Sequence, residues 1–255
     1  MKNYQNFWQT LVDAYPVSKW TLRLPIATRY LEIKDVNIYD YRKEFQNILN
    51  QLIDAIEKEW RESIAIKNWQ PEIIPFLGKD FSGVIRFDCM LNTDWELKII
   101  EVNTDYPDWL LMHDYTYEAI GGTKWVFKNH EAYKKLFESD ISIFIAIPND
   151  AFFLDAYYTE YQFLQNLWYT VFIWSIDKLT QQDGNIYFQW EIIHAIRRCI
   201  EVGKIEKWVL EILKWGNIKF INTFDMRILW FKDNLSRVHH PLIPKTLVLN
   251  RENQD

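Results

Sequence analysis

Glycine and proline are scarce in this 255-residue chain, seven of one and eight of the other. No Gly-rich loop able to cradle a phosphate with backbone N–H groups is therefore present. Only two cysteines occur, Cys89 and Cys199, without CxxC or Cys/His spacing. That excludes a disulfide framework or a zinc site argued from spacing, and it fits a reducing cytoplasm. No apolar run approaches the ~18 residues of a membrane span. The opening MKNYQNFWQTLVDAYPVSKW has neither an apolar core nor a small-residue cleavage site. The expectation is a cytoplasmic protein, neither secreted nor membrane-spanning. Basic residues are outnumbered, 29 Lys and Arg against 35 Asp and Glu, for a formal charge of −6. A nucleic-acid partner needs clustered Lys and Arg, so none is expected. Pro-, Gly- or Ser-rich linkers, low-complexity runs and repeats at a fixed period are also missing.

Apolar and aromatic material is what the chain has in quantity: 49% hydrophobic residues, with 13 Trp, 14 Tyr and 16 Phe. A sizeable core is expected, in one large domain or two small ones. Residues 39–60 place Phe45, Ile48, Leu49, Leu52, Ile53 and Ile56 at helical spacing, with Asp40 as N-cap. Val84 to Leu91 and Leu97 to Val102 read as two strands joined by Asn92, Thr93 and Asp94, a β-hairpin. From residue 141 strands and helices alternate: ISIFIAI, a helix from Tyr157 to Tyr169, VFIWSI, a helix from Glu191 to Val202, another from Ile205 to Trp215, then IKFIN. Such alternation implies βαβ units and a mainly parallel sheet. A further helix is expected from Phe224 to Val238 and a closing strand from Lys245 to Leu249. The Trp set that includes Trp168, Trp174, Trp190, Trp208 and Trp215 is expected in the core, any exposed member marking an interface.

Four residues of the hairpin carry chemistry. Arg86 and Asp88 lie two apart on one strand, Glu101 and Asn103 two apart on the other, so each pair shares a face. If the register aligns the pairs, all four converge. Carboxylates and an amide carbonyl are hard oxygen ligands suited to Mg²⁺. An adjacent Arg is suited to a phosphate or oxyanion. The same residues could equally form a solvated face, but the Glu and Asn end an apolar strand, where α/β proteins place ligands.

The run RFD…LKIIEVNTDYPD resembles the metal-binding hairpin of ATP-grasp ligases, above all the glutathionylspermidine-synthase and eukaryotic glutathione-synthetase type. In that type the hairpin precedes the α/β substrate domain in permuted order. The tail INTFDMRILWFKDNLSRVHHPLIPKT resembles the segment in which a strand ending in Asn leads to a helix bearing a nucleotide-contacting Lys, here Lys232. IIHAIRRC, with Arg197 and Arg198, resembles an Arg-bearing element of the substrate domain. The resemblance covers about Val84 to Leu249. Residues 1–80 carry no match. The element order gives an α/β fold in two parts, a helical part with the hairpin over residues 1–140 and a mainly parallel βαβ part over 141–255, the second resembling the pre-ATP-grasp-like substrate domain. The resemblance implies Asp88, Glu101 and Asn103 as Mg²⁺ ligands, Arg86 on the acyl-phosphate or its precursor, and Lys232 on the phosphates of ATP. The implied reaction joins an acid, small molecule or peptide, to an amine through an acyl-phosphate.

Two departures bear on this. The family continues into a lid domain with a Gly-rich loop, whereas this sequence stops at Asp255; the expectation is a truncated or lidless form, with a homo-oligomer or a lid-supplying partner chain. The usual Asp-Lys order is also reversed, as Lys232 and Asp233. Two competing readings follow: an ATP-grasp-derived protein that binds a peptide or partner without catalysis, and a metal-dependent hydrolase using Asp88 and Glu101. His239 and His240 read as a loop, His113 with Asp114 as a helix start, and Cys89 as a core residue on the strand face opposite Asp88.

Overall fold

The computed structural model describes residues 41–68, 70–78, 81–107, 135–136, 141–149 and 151–245. The described residues are mixed α/β, with one four-stranded parallel sheet and two antiparallel sheets. The chain forms two compact units, one of residues 1–33 together with 108–221 and one of 34–107 together with 222–255. The tail beyond residue 221 thus belongs with the hairpin rather than with the parallel sheet.

In the hairpin unit, helix α1 (Arg42–Lys58) buries Ile48, Leu52 and Ile56, a stripe at i, i+4 and i+8. Its expected cap, Asp40, lies outside the described residues. Helix α2 (Arg61–Lys67) and a 3-10 turn (Pro71–Phe76) follow, then strands β1 (Arg86–Leu91) and β2 (Leu97–Asn103), paired antiparallel. The five-residue connection is held by Asn92, whose Oδ1 accepts from the Asp94 and Glu96 N–H groups at 3.0 and 2.8 Å. The outer edge of β2 is covered where Ile99 N–H reaches the Leu242 carbonyl at 2.8 Å.

In the other unit, β3 (Ser142–Ile147) runs parallel to β4 (Thr170–Ser175), linked by helix α3 (Ala151–Asn166). A small antiparallel sheet comes next, β5 (Leu179–Gln182), β6 (Asn185–Phe188) and β7 (Glu191–Ile193). Strand β8 (Ala195–Arg198) then returns beside β3, helix α4 (Lys207–Trp215) crosses over, and β9 (Lys219–Ile221) completes the order β4-β3-β8-β9. Five consecutive residues of β3, Ile143 to Ile147, are buried, as befits a central parallel strand.

Three sequence expectations need correction. Glu191 to Val202 is not a helix but two short strands, β7 and β8. An apolar run this short fits either period, and its four Ile residues favour strand. The helix expected from Phe224 to Val238 is interrupted: α5 (Phe224–Trp230) gives way at Phe231 to a 3-10 turn (Lys232–Arg237). There the Asn234 side chain donates to the Ile228 carbonyl at 2.7 Å, competing with the helix for that acceptor. The five Trp residues expected in the core are half-exposed or more, up to 94% for Trp168. Trp168 ends α3 in the left-handed region at φ 68°, a turn position. The strand expected from Lys245 lies, beyond that residue, outside the description.

Arg197 and Arg198 are fully buried on β8. Arg197 Nε donates to Glu160 Oε1 of α3 at 2.8 Å, its Nη1 to the Arg198 carbonyl at 3.0 Å, and Arg198 Nη1 to the Ile200 carbonyl at 3.1 Å. Breaking a buried pair from one side strands the other charge. Glu160→Ala should lower unfolding free energy by about 3–5 kcal/mol in urea titration, and the joint Glu160→Leu, Arg197→Met variant by clearly less. Equal losses would show that packing, not charge, sets the cost.

Candidate functional site

The register of the hairpin decides the site. Arg86 lies opposite Asn103 and Asp88 opposite Glu101, so all four sequence candidates share one face. Phe87, Cys89 and Leu91 occupy the other, opposite Val102, Ile99 and Leu97. There Phe87 stacks on Phe45 of α1 at 4.8 Å and 13°. This alignment depends on one extra residue. Between the pairs Asp88–Glu101 and Cys89–Ile99, Ile100 has no partner and bulges outward, half-exposed. Strict alternation from the buried Leu97 and Ile99 would send Glu101 and Asn103 into the core; the bulge turns them outward.

On this face Asp88 is grasped from two sides. Arg86 donates through Nε to Oδ1 at 2.7 Å and through Nη2 to Oδ2 at 3.1 Å, and Asn103 Nδ2 adds 2.9 Å to Oδ2. Asn103 Oδ1 in turn accepts from the indole of Trp230, at the end of α5, at 2.9 Å. Behind it, Cys89 is half-buried, and burial, with Asp88 adjacent, pushes its thiol up to about 11. Half-buried rather than the buried core residue expected, it remains a protonated, weakly nucleophilic thiol at neutral pH.

Helix α5 fixes the three residues at the end of β2. Asn103 meets Trp230; Thr104 donates to the Met226 carbonyl at 2.6 Å; and Asp105 accepts from Arg227 Nη1 at 3.0 Å. Arg227 is buried, bonds Gln70 through Nε at 2.8 Å, and lies 4.1 Å over the Trp230 ring. Asn222, just before α5, joins the two ends of the hairpin. It is fully buried at φ 58°, accepts from Val84 N–H at 3.2 Å, and donates to the carbonyls of Val84, at 2.8 Å, and Thr104. Asn tolerates the left-handed region better than other non-glycine residues. Gly83 makes this approach possible, since a Cβ there would sit 2.7 Å from the Asn222 backbone.

Asp88, Glu101 and Asn103 offer three oxygen-bearing side chains on one face; Asp88 Oδ1 and Asn103 Oδ1 each accept one hydrogen bond and keep a second lone pair, whereas Asp88 Oδ2 accepts two. Two carboxylates and an amide carbonyl suit a hard divalent cation in donor type. Among the described residues no group of three His, Cys, Asp or Glu side chains gathers as a metal site. Lys232 opens the 3-10 turn that packs against β2. His240 is a loop residue bonded to Glu44 at 2.8 Å, and His239 is exposed. His113 and Asp114 lie outside the described residues.

Sequence reasoning missed Arg227, Trp230 and the clamping role of Asn222. The signal available was the i, i+3 spacing of Arg227 and Trp230, which places both on one face of a helix.

No protein-family model matches the chain, and no curated protein matches it. No helix among the described residues is long and apolar enough to cross a membrane.

If Ile100 is the surplus residue, its deletion straightens β2 and leaves Asp88 opposite Glu101. The deletion variant should remain folded, losing less than about 2 kcal/mol. Deleting the buried Val102 instead inverts Asn103 and should abolish cooperative unfolding. Circular dichroism during urea titration checks both. An Ile100 deletion as damaging as that of Val102 would contradict the register.

Proposed function

We propose that the chain is a Mg²⁺-dependent ATP-grasp ligase of the glutathionylspermidine-synthase and eukaryotic glutathione-synthetase type, joining a carboxylate to an amine. The observation that carries the reading is the convergence of Arg86, Asp88, Glu101 and Asn103 on one face of a bulged hairpin. Those residues occupy the positions of the motif RFD…IIEVN to which the family resemblance attaches metal and phosphate binding.

In this reading Asp88, Glu101 and Asn103 hold Mg²⁺, and Lys232 meets the phosphates of ATP. The bound cation supplies charge neutralisation for the transferring phosphoryl group. Arg86 has the geometry for the anionic acyl-phosphate: its fork already grips a carboxylate through two nitrogens, and an incoming phosphoryl oxygen competes for the same donors. Asn103 is kept in one orientation by Trp230, which reduces the cost of ordering the site when substrate arrives. No protein nucleophile is required, because the carboxylate substrate would attack the γ-phosphorus of ATP with release of ADP, and the amine would then attack the acyl-phosphate carbonyl with release of phosphate and a proton. Catalysis rests on positioning and charge. The α/β unit of residues 141–221 corresponds in this reading to the substrate domain, for an acid that is a small molecule or a peptide.

Calorimetric titration of MgATP into the purified chain tests the proposal. Saturable binding is expected, weakened at least tenfold by omitting Mg²⁺ or by Glu101→Gln, with the variant's far-UV spectrum unchanged. Absence of binding, or binding indifferent to both changes, would overturn the ligase reading and favour a protein that recognises a peptide or partner without turnover.

A further inference from the structure

One concavity of the parallel-sheet unit, about 690 Å³, is lined by residues outside the hairpin and is not used by the reading above. Its lining is unusual in one respect. Val171, Phe172, Ile173 and Trp174 are consecutive residues of β4, and all four border it. Side chains along a strand alternate between faces. A hollow over one face would touch every second residue; one touching four in a row runs along the strand's edge. Among the described residues β4 is an edge strand, paired with β3 alone. Among the described residues its backbone bonds to no other strand, and the hollow borders four consecutive residues of that edge.

Both sides of the edge are walled. Tyr158 and Tyr161 of α3, stacked at 5.4 Å, stand on one side. Phe188, 5.2 Å from Phe172, stands on the other. Thr180 and Gln189 add polar groups, and Lys178, just beyond the C-terminal end of β4, is the one charged residue among the described residues of the lining. Its side chain is half-exposed, and its ammonium donates to Asp177 Oδ2 at 3.4 Å. A carboxylate could take its remaining protons.

We propose that this cleft binds an extended peptide that adds a strand to the β4 edge, with apolar or aromatic side chains between Tyr158, Tyr161 and Phe188 and a carboxylate at Lys178. Four residues at about 3.3 Å each give a track of about 13 Å, suited to a short strand. Backbone pairing supplies affinity and alternate side chains supply selectivity. A compact aromatic molecule would use the walls but leave the strand's donors and acceptors unmatched.

Fluorescence anisotropy with a labelled peptide Thr-Val-Tyr-Val-Thr-Glu tests this on the full chain. Two further copies carry backbone N-methyl groups at the odd or at the even residues. Strand addition predicts that one copy loses at least tenfold in affinity while the other binds as before, because only alternate N–H groups face β4. Lys178→Gln should weaken the free-carboxylate peptide about two- to fivefold and leave its fully amidated Gln analogue unchanged. Equal binding of all three backbones would overturn strand addition and identify a side-chain or small-molecule cleft. No saturable binding up to about 1 mM, the limit of weak recognition, would overturn the proposal outright.

Discussion

One surplus residue in β2 governs the polar face of the hairpin. Because Ile100 stands outside the ladder, Glu101 and Asn103 are turned away from the core that Leu97, Ile99 and Val102 help to fill. A regular strand could not place Val102 inward and Glu101 outward after a buried Ile99 two positions earlier. The bulge reconciles an apolar strand with a site on its outer face. Its cost is a ladder interrupted at the centre of a two-stranded sheet, and such a sheet is marginal by itself.

The unit answers that weakness with tail residues that follow the hairpin by more than a hundred positions. Asn222 joins Val84 to Thr104 behind the two strands, and α5 then bonds Asn103, Thr104 and Asp105 in succession. The backbone of residues 241–242 lines the edge of β2, where Pro241 accepts from Lys98 Nζ at 2.9 Å. Buried charge is used sparingly and in matched form: Arg227 meets Asp105, and Asp225 takes Arg61 and the Gly78 N–H. The polar face is therefore supported by side chains that cannot be removed without disturbing the hairpin. A single structural network fixes both stability and orientation there, as expected of sites whose supporting residues lock the functional ones.

Much of this was legible in the sequence wherever one periodicity dominated. Helix α1 followed from its apolar stripe, β3 and β4 from unbroken apolar runs, and the sharing of faces by Arg86 with Asp88 and by Glu101 with Asn103 from simple alternation. The bulge was not legible, since nothing at Ile100 distinguishes an outward apolar residue from an inward one until the partner strand is in register. Residues 191–198 misled because Ile192, Ile193, Ala195 and Ile196 satisfy helical and strand spacing alike. The tail helix was overestimated because the Asn234 side chain, a remote competitor for the Ile228 carbonyl, ends its regularity. Arg227 and Asp105 lie 122 residues apart, and no local pattern announces such a pair.

The central claim is that the face bearing Asp88, Glu101 and Asn103 receives a divalent cation together with ATP. Paramagnetic relaxation by Mn²⁺ reads this directly, because the Trp230 indole N–H bonds a proposed ligand and reports by its own resonance. Adding substoichiometric Mn²⁺ with ATP to the labelled chain should broaden the Trp230 indole and Asn103 side-chain amide signals before all others, and Glu101→Gln should abolish the effect. Sharp signals from both groups, with broadening elsewhere or nowhere, would contradict the account.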